Sequence, residues 1–356
     1  MTDDNPRPAA ASAASAPYAE LTPAVVLDAL DGVGLRGDGR MLQLNSYENR
    51  VFQAFLEDGR VVVAKFYRPE RWTDAQILEE HAFAGELAAA EIPVAAPLTL
   101  SLDPDSPYAA SLTLAGATLG VAAIGAHAYR FGVCERLTGR APELGDPEVL
   151  RWLGRYIGRL HAVGARAKFV HRLSLDVASY GEASRDFLLD RDIVSPDVAT
   201  EWRALVDTAL HACRSAFDAA PLRGLRLHGD CHLGNVLWTE RGPHFVDLDD
   251  AVNGPAIQDL WMLLSGERAA MTGQLLDVLE GYESFMDFDW REARLVEPLR
   301  TLRMIHHSAW IARRWQDPAF PIAFPWFAGT SYWADQCTRL REQIVAMAEP
   351  PLGSPA

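Results

Sequence analysis

The stretch LRLHGDCHLGNVLW (residues 225–238) concentrates side chains that can take part in chemistry. Asp230 lies between a glycine and a cysteine, two histidines flank it, and Asn235 follows five residues later. A second strand-like run, HFVD (residues 244–247), ends at Asp247. If NVLW and HFVD form a β-hairpin, the oxygen-bearing side chains of these three residues converge.

Three converging oxygen-bearing side chains indicate a magnesium site with two ligands and a free carboxylate beside it. Mg²⁺ prefers hard oxygen ligands and keeps waters and substrate phosphates, so Asn235 and Asp247 are the predicted metal ligands. Asp230 then remains free to accept a proton from an acceptor hydroxyl. An aspartate, an asparagine a few residues later and a second aspartate are the parts of a kinase catalytic loop. We therefore predict Asp230 and Asp247 as catalytic residues and ATP as co-substrate.

The N-terminal part of the chain carries the residues that such a loop requires. RVFQAFL and VVVAKFY read as two paired strands, and the second contains Lys65. The segment DAQILEEHAFAGELAAAEIPV has helical spacing of apolar residues and ends before Pro93. Lys65 resembles the lysine of the kinase V-A-I-K signature, and the helix offers Glu80 or Glu79 as its partner. Glu80 is preferred, and Glu79 remains open.

Two further features suggest other chemistry. His228, Cys231 and His232 invite a zinc site, but no second cluster of matching ligands follows them. Cys231 as a nucleophile with His228 as base lacks an oxyanion hole and lies beside Asp230, which raises a thiol pKa. We expect His228 to shape the loop, and Asp259 on a following helix to hydrogen-bond the loop backbone.

Composition limits the partners. Asp and Glu outnumber Lys and Arg by 48 to 33, for a formal charge of -15, so we expect no nucleic-acid partner. The weakly apolar run at residues 109–125 carries Ser, Thr and three glycines, which favours buried strands, so we expect no membrane partner. Four separated cysteines and an acidic start followed by small residues predict a cytoplasmic protein. We expect a monomer.

Longer motifs identify a family resemblance. HGDCHLGN and FVDLDD resemble the aminoglycoside phosphotransferase and choline-kinase-like group, which has a bilobal protein-kinase-like fold. LNSYENRV, VAKFYRPERW, QILEEH, FVDLDDAVNGPAIQDLWMLL and RRWQDPAFP, spread over residues 44–321, resemble the bacterial stress response kinase A family. The resemblance implies a cytoplasmic, ATP- and Mg²⁺-dependent kinase of protein Ser and Thr. It implies Asp230 as base, Lys65 on phosphate and Ser46 over ATP.

The resemblance predicts an α+β, bilobal fold with a small β-rich N-terminal lobe and a larger helical C-terminal lobe. The predicted divisions are a disordered tail at 1–20, an ATP-binding lobe at 21–136, a catalytic lobe at 137–348 and a tail at 349–356. The connecting segment VCERL, which includes Glu135, is expected to contact adenine.

The sequence departs from ordinary protein kinases at the loop over ATP. NSYENRV stands where GxGxxG is expected, so backbone cannot approach phosphate as freely as it does at glycine. We therefore expect Ser46, Asn49 and backbone N–H groups to contact phosphate. DLD replaces DFG and no APE segment follows, which disfavours an ordinary activation loop.

Three functional hypotheses remain. The first is a Ser/Thr protein kinase. The second is a small-molecule kinase that acts on an amino alcohol, because such enzymes share the HGDxxxxN loop. The third is a pseudokinase, which the intact Lys65, Asp230, Asn235 and Asp247 disfavour.

Overall fold

The computed structural model describes residues 17–125, 127–220 and 224–353. The N-terminal half contains an antiparallel sheet with two helices, and the C-terminal half is mainly helical. The predicted α+β architecture of a small β-rich lobe and a larger helical lobe is therefore confirmed.

Six antiparallel strands form the N-terminal sheet in the order β1-β2-β3-β6-β5-β4. They are β1 (Gly37–Leu44), β2 (Arg50–Leu56), β3 (Val61–Phe66), β4 (Leu112–Gly116), β5 (Leu119–Ile124) and β6 (His127–Glu135). In β3, Val62, Ala64 and Phe66 are buried in the core on one face of the sheet. Since side chains alternate along a strand, Lys65 lies on the other face.

Helix α1 (Pro23–Asp31) precedes the sheet, and α2 (Asp74–Ala89) follows β3. Thr73 caps α2 in a reciprocal arrangement with Gln76. The predicted strands within residues 109–125 are β4 and β5. Within the described ranges, no helix has the length and apolar content needed to cross a membrane.

Eight helices are described in the C-terminal half, including those predicted after residue 147 and around residue 300. They are α3 (Pro147–Gly164), α4 (Ala183–Asp190), α5 (Ala199–Asp218), α6 (Ile257–Trp261), α7 (Arg268–Tyr282), α8 (Val296–Arg313), α9 (Ala319–Ala323) and α10 (Thr330–Met347). Helices α3 and α7 pack closely because glycines lie at their contact. A Cβ on Gly154 would collide with the carbonyl of Val278.

Two short two-stranded sheets carry the motif that opened the sequence analysis. β7 (Leu225–Leu227) pairs with β10 (Val252–Gly254), and β8 (Val236–Thr239) pairs with β9 (Gly242–Phe245). The β8–β9 pair is the predicted hairpin. It brings the HGDCHLGN segment next to the DLDD segment that follows β9.

The two predicted tails are only partly described. Residues 1–16 and 354–356 lie outside the described residues. Tyr18 is buried, and its hydroxyl donates to the Glu48 carbonyl. Leu352 is also buried, against the core of the helical lobe. Packed chain therefore extends into both segments predicted as tails, because each supplies an apolar side chain to a core.

Candidate active site

A cleft of about 500 Å³ lies between the two lobes. It is lined by the N-terminal sheet, α2, the segment after β6 and the β8–β9 region. Six of the predicted site residues line it: Ser46, Lys65, Glu80, Glu135, Asn235 and Asp247. The structure thus brings together residues that are far apart in the sequence.

Lys65 lies at the centre of a carboxylate cluster. Its Nζ is 3.4 Å from Glu80 Oε1, 3.2 Å from Asp247 Oδ1 and 3.7 Å from Asp249 Oδ1. Burial alone would lower the pKa of Lys65, but these carboxylates raise it well above its ordinary value. The lysine therefore keeps its charge, as a phosphate-binding cation must.

The choice between Glu80 and Glu79 is resolved by their partners. Glu80 points into the cleft and contacts Lys65. Glu79 instead accepts hydrogen bonds from the backbone N–H groups of Val170, His171 and Arg172. Adjacent residues on a helix point in different directions, so only one of them can meet the strand lysine.

The backbone of the HGD segment is held by α6. Asp259 accepts hydrogen bonds from the N–H groups of His228 and Gly229, both at 2.8 Å. Gly229 has a φ of +85°, and a Cβ there would collide with the Asp250 carbonyl oxygen. The His228 ring lies 2.9 Å from the Val246 carbonyl oxygen. The predicted structural positions of Asp259 and His228 are confirmed.

Asp230 is held by three neighbours. Arg303 Nη1 donates to Asp230 Oδ1 at 2.5 Å, and His232 Nε2 lies 3.4 Å from Oδ2. Asn235 Nδ2 donates to the Asp230 carbonyl at 2.9 Å. Burial would raise the pKa of Asp230, but His232 and Arg303 together lower it below its ordinary value. Asp230 is therefore ionised, as a proton acceptor must be.

The predicted magnesium ligands have the required donor chemistry. The Asn235 amide nitrogen is used by the Asp230 carbonyl, which leaves its side-chain oxygen available. Asp247 has a left-handed backbone with φ 60°, ψ 64°, and half of its side chain is exposed to the cleft. Asn235 and Asp247 line the same cleft, and two hard oxygen ligands suit Mg²⁺, which keeps several waters.

The zinc and nucleophile alternatives find no support at His228 and Cys231. Among the described residues, no group of three or more His, Cys, Asp or Glu side chains is arranged to hold a metal ion. Cys231 is buried, and burial raises the pKa of its thiol well above the ordinary value. A protonated, buried thiol is a poor ligand and a poor nucleophile.

The structure of the loop between β1 and β2 contradicts one prediction, the contact of Asn49 with phosphate. Ser46 lines the cleft, and its Oγ accepts the Asn49 N–H at 3.2 Å. Asn49 was expected to contact phosphate, but it is only 2% exposed. Its Nδ2 donates to Asp249 and its Oδ1 accepts the Arg68 N–H. Asn49 therefore joins the loop to the DLDD segment and has no free amide group for phosphate.

Glu48, in the same loop, was not identified from the sequence. Its carboxylate accepts a hydrogen bond from Trp310 Nε1 at 2.6 Å and lies 2.6 Å from Arg314 Nε, both in the C-terminal lobe. Arg68 Nε, in the N-terminal lobe, lies 3.0 Å from it. Glu48 thus ties the loop to the opposite lobe. RPERW and RRWQDPAFP supply these arginines, but sequence does not reveal their partner.

Glu135 lines the cleft at the end of β6, next to Val133, Cys134 and Arg136. Its carboxylate is half-exposed and lies 3.4 Å from Arg60 Nη1. The side chain is therefore directed to the neighbouring hairpin. Any contact with adenine is left to the backbone of this segment.

Comparisons with known proteins agree with this geometry. The profile described as "Phosphotransferase enzyme family" (APH) matches residues 41–296. Stress response kinase A of Escherichia coli (strain K12) is 42% identical over 335 residues, which are 94% of this chain and 96% of that protein. "Serine/threonine protein kinase RdoA" of Salmonella typhimurium (strain LT2) has the same identity and coverage.

Solved structures share the fold at low sequence identity. A microcompartment-associated aminopropanol kinase superposes with a TM-score of 0.66 at 17% identity, covering 91% of this chain and 98% of that chain. Amicoumacin kinase hAmiN, in complex with AMP-PNP, Ca²⁺ and amicoumacin, gives 0.64 at 18% identity, covering 88% and 90%. The chain belongs to the phosphotransferase enzyme family and, within it, to the stress response kinase A family.

Proposed function

We propose that this chain is a cytoplasmic, ATP- and Mg²⁺-dependent kinase that phosphorylates Ser and Thr residues of proteins in a bacterial stress response. The observation that carries the proposal is the meeting of Lys65 with Glu80 and Asp247 in one cleft. Asn235 lines that cleft and is hydrogen-bonded to Asp230. The proposed binding sites for nucleotide, metal and acceptor are therefore adjacent.

ATP would bind with its adenine against the end of β6, around Val133 and Glu135, and its phosphates toward Lys65. The buried ammonium of Lys65 can donate charge-assisted hydrogen bonds to phosphate oxygens. Ser46 and Asn45, from the loop between β1 and β2, line the same cleft. Asn235 and Asp247 would hold Mg²⁺, which supplies positive charge against the phosphates.

Asp230 would accept the proton of the acceptor hydroxyl. The hydroxyl oxygen forms a bond to the γ-phosphorus, the bond from that phosphorus to the bridging oxygen breaks, and ADP leaves with the electron pair. Positioning and charge stabilisation supply most of the rate in such transfers. Asp259 contributes indirectly, because it fixes the backbone of His228 and Gly229 just before the base.

The charges beside Asp230 support a protein acceptor over an amino alcohol. An amino alcohol carries an ammonium group that needs a carboxylate partner. Asp230 already contacts Arg303, and Asp250 contacts Arg71 Nη2 at 2.5 Å. A cationic metabolite that approached either carboxylate would be repelled by the guanidinium beside it. The name of the Salmonella relative also describes a Ser/Thr protein kinase.

The proposal is tested with purified protein, labelled ATP and Mg²⁺. The acceptors are a generic unfolded protein and a panel of amino alcohols and aminoglycosides, with Asp230→Asn as control. We expect label on Ser and Thr of the protein, and loss of labelling in the control. Label on the metabolites alone would establish the small-molecule alternative. ATP binding without transfer to any acceptor would establish a pseudokinase.

A further inference from the structure

Arg303 contacts Asp230, the residue proposed to accept the proton of the acceptor hydroxyl. It lies on α8, its side chain is 44% exposed, and Nη1 contacts Asp230 Oδ1. A guanidinium has five N–H donors in a planar fork. The contact with Asp230 uses Nη1, so donors remain for a second anionic group.

The Arg303–Asp230 pair is suited to exchange of partners. Ion pairs that are partly exposed to solvent contribute little net stability, so an incoming anion can compete for the guanidinium. When Arg303 turns to a substrate carboxylate, the Asp230 oxygen that it held becomes available to the acceptor hydroxyl. A cationic neighbour of the hydroxyl would instead be repelled by Arg303.

An exposed aromatic surface lies one helical turn further along α8. His307 follows Arg303 by four residues, which is about 5.4–6 Å along the helix. Its ring stacks on Trp310 with centroids 5.5 Å apart, and it meets the edge of Phe324 at 6.3 Å. Tyr47, which is 53% exposed, packs on Phe324 from the β1–β2 loop at 5.1 Å.

A polypeptide acceptor is long enough to contact both Asp230 and this aromatic surface. An extended chain advances about 3.3 Å per residue, so a residue about two positions from the acceptor can reach the aromatic rings. Tyr47 comes from one lobe, and His307 and Phe324 come from the other. A polypeptide lying there would contact both lobes beside the base.

We propose that the acceptor is a Ser or Thr flanked by carboxylate side chains in a polypeptide, and that Arg303 is the specificity-determining residue that binds such a carboxylate. This inference rests on the proposed protein-kinase function. The inference goes beyond that function because it specifies the charge of the protein substrate and the residue that binds this charge.

The experiment uses three peptides that differ only in the residues on each side of one serine: Asp, Asn or Lys. We measure kcat/KM for the wild type, Arg303→Gln and Arg303→Lys. Glutamine can still donate to Asp230 but lacks the charge, and lysine keeps the charge. Arg339→Gln is the matched control, because Arg339 is an exposed arginine on α10.

We expect the wild type and Arg339→Gln to prefer the Asp peptide over the Asn peptide by up to about fivefold, and the Lys peptide to be poorest. The preference should disappear in Arg303→Gln and persist in part in Arg303→Lys. Nucleotide binding should not change in either variant, which separates acceptor recognition from misfolding.

Three results would overturn the inference. Equal use of all three peptides by the wild type would refute it while the protein-kinase proposal stands. Persistent preference in Arg303→Gln would assign recognition to another residue. An equal loss on all peptides in both Arg303 variants would mean that Arg303 serves only Asp230. Activity on amino alcohols with none on any peptide would instead refute the protein-kinase proposal itself.

Discussion

Replacing Glu48 by glutamine tests whether the C-terminal lobe holds the loop over ATP in place. The side chain of Glu48 is 12% exposed, and glutamine keeps an oxygen to accept the Trp310 N–H. The change therefore removes charge and leaves shape almost unaltered. Arg68 retains its 2.8 Å contact with Asp317, but Arg314 loses the carboxylate 2.6 Å from its Nε.

The expected rise in KM for ATP follows from the free-energy cost of leaving Arg314 without its carboxylate partner. Removing one partner of a buried ion pair costs about 3–5 kcal/mol. We expect a smaller cost of about 2 kcal/mol here, because Arg314 can turn toward solvent. Burial lowers the pKa of Arg314 and Glu48 raises it, so this carboxylate stabilises the charged guanidinium. If this free energy holds the loop, KM for ATP rises up to about 30-fold.

The assay separates loop positioning from general destabilisation. In the proposed ATP complex the loop would contact nucleotide in both the ground state and the transition state, so KM for ATP should rise much more than kcat falls. Glu57→Gln, at an exposed position in the β2–β3 turn, is the control and should leave KM unchanged. The double variant Glu48→Gln/Arg314→Gln should be less impaired than the sum of the single variants. Additive effects, or an unchanged KM, would refute the idea that the contact between Glu48 and Arg314 holds the loop in place.

Three other predictions concern the base, the metal and pH. Asp230→Asn should abolish phosphoryl transfer while nucleotide titration shows nearly unchanged ATP binding, because the base acts on the acceptor. In magnesium titrations at saturating ATP, Asp247→Asn should raise the Mg²⁺ requirement more than Asn235→Asp, which adds charge to a ligand position; the reverse order would contradict the assignment. Burial raises the pKa of Glu292 from 4.5 to about 7, so protonation of this side chain favours the folded state. Its contribution to the free energy of unfolding is fully present below the ordinary pKa and is lost as pH rises through about 7. Chemical denaturation should therefore show Glu292→Gln gaining roughly 3 kcal/mol relative to the wild type between about pH 4 and pH 8.

The parts of the site that sequence could predict are those fixed by short-range pattern. Alternation in VVVAKF places Lys65 on the face of the strand that is turned away from the sheet core. The β8–β9 hairpin joins Asn235 and Asp247 because only a short turn separates its two strands. In each case the neighbouring chain determines the direction of the side chain.

The parts that sequence could not predict depend on partners distant in the chain. Asn49 meets Asp249, Glu48 meets Arg314, and Asp230 meets Arg303, each across many intervening residues. Charge does not select among the many possible partners in the chain. The choice depends on the positions of the two lobes, which packing of the whole chain determines.

In the proposed ATP complex, α8 would hold in place a phosphate-covering loop that lacks glycine. A glycine-rich loop approaches phosphate because its backbone is free to adapt. Here the loop is tied instead through Glu48 to Trp310 on α8 and to Arg314 at its end. Two turns earlier, the same helix presents Arg303 to Asp230. Because one helix contacts both the loop and the base, displacement of α8 by an acceptor would change the positions of both, and acceptor charge should therefore affect KM for ATP as well as acceptor turnover.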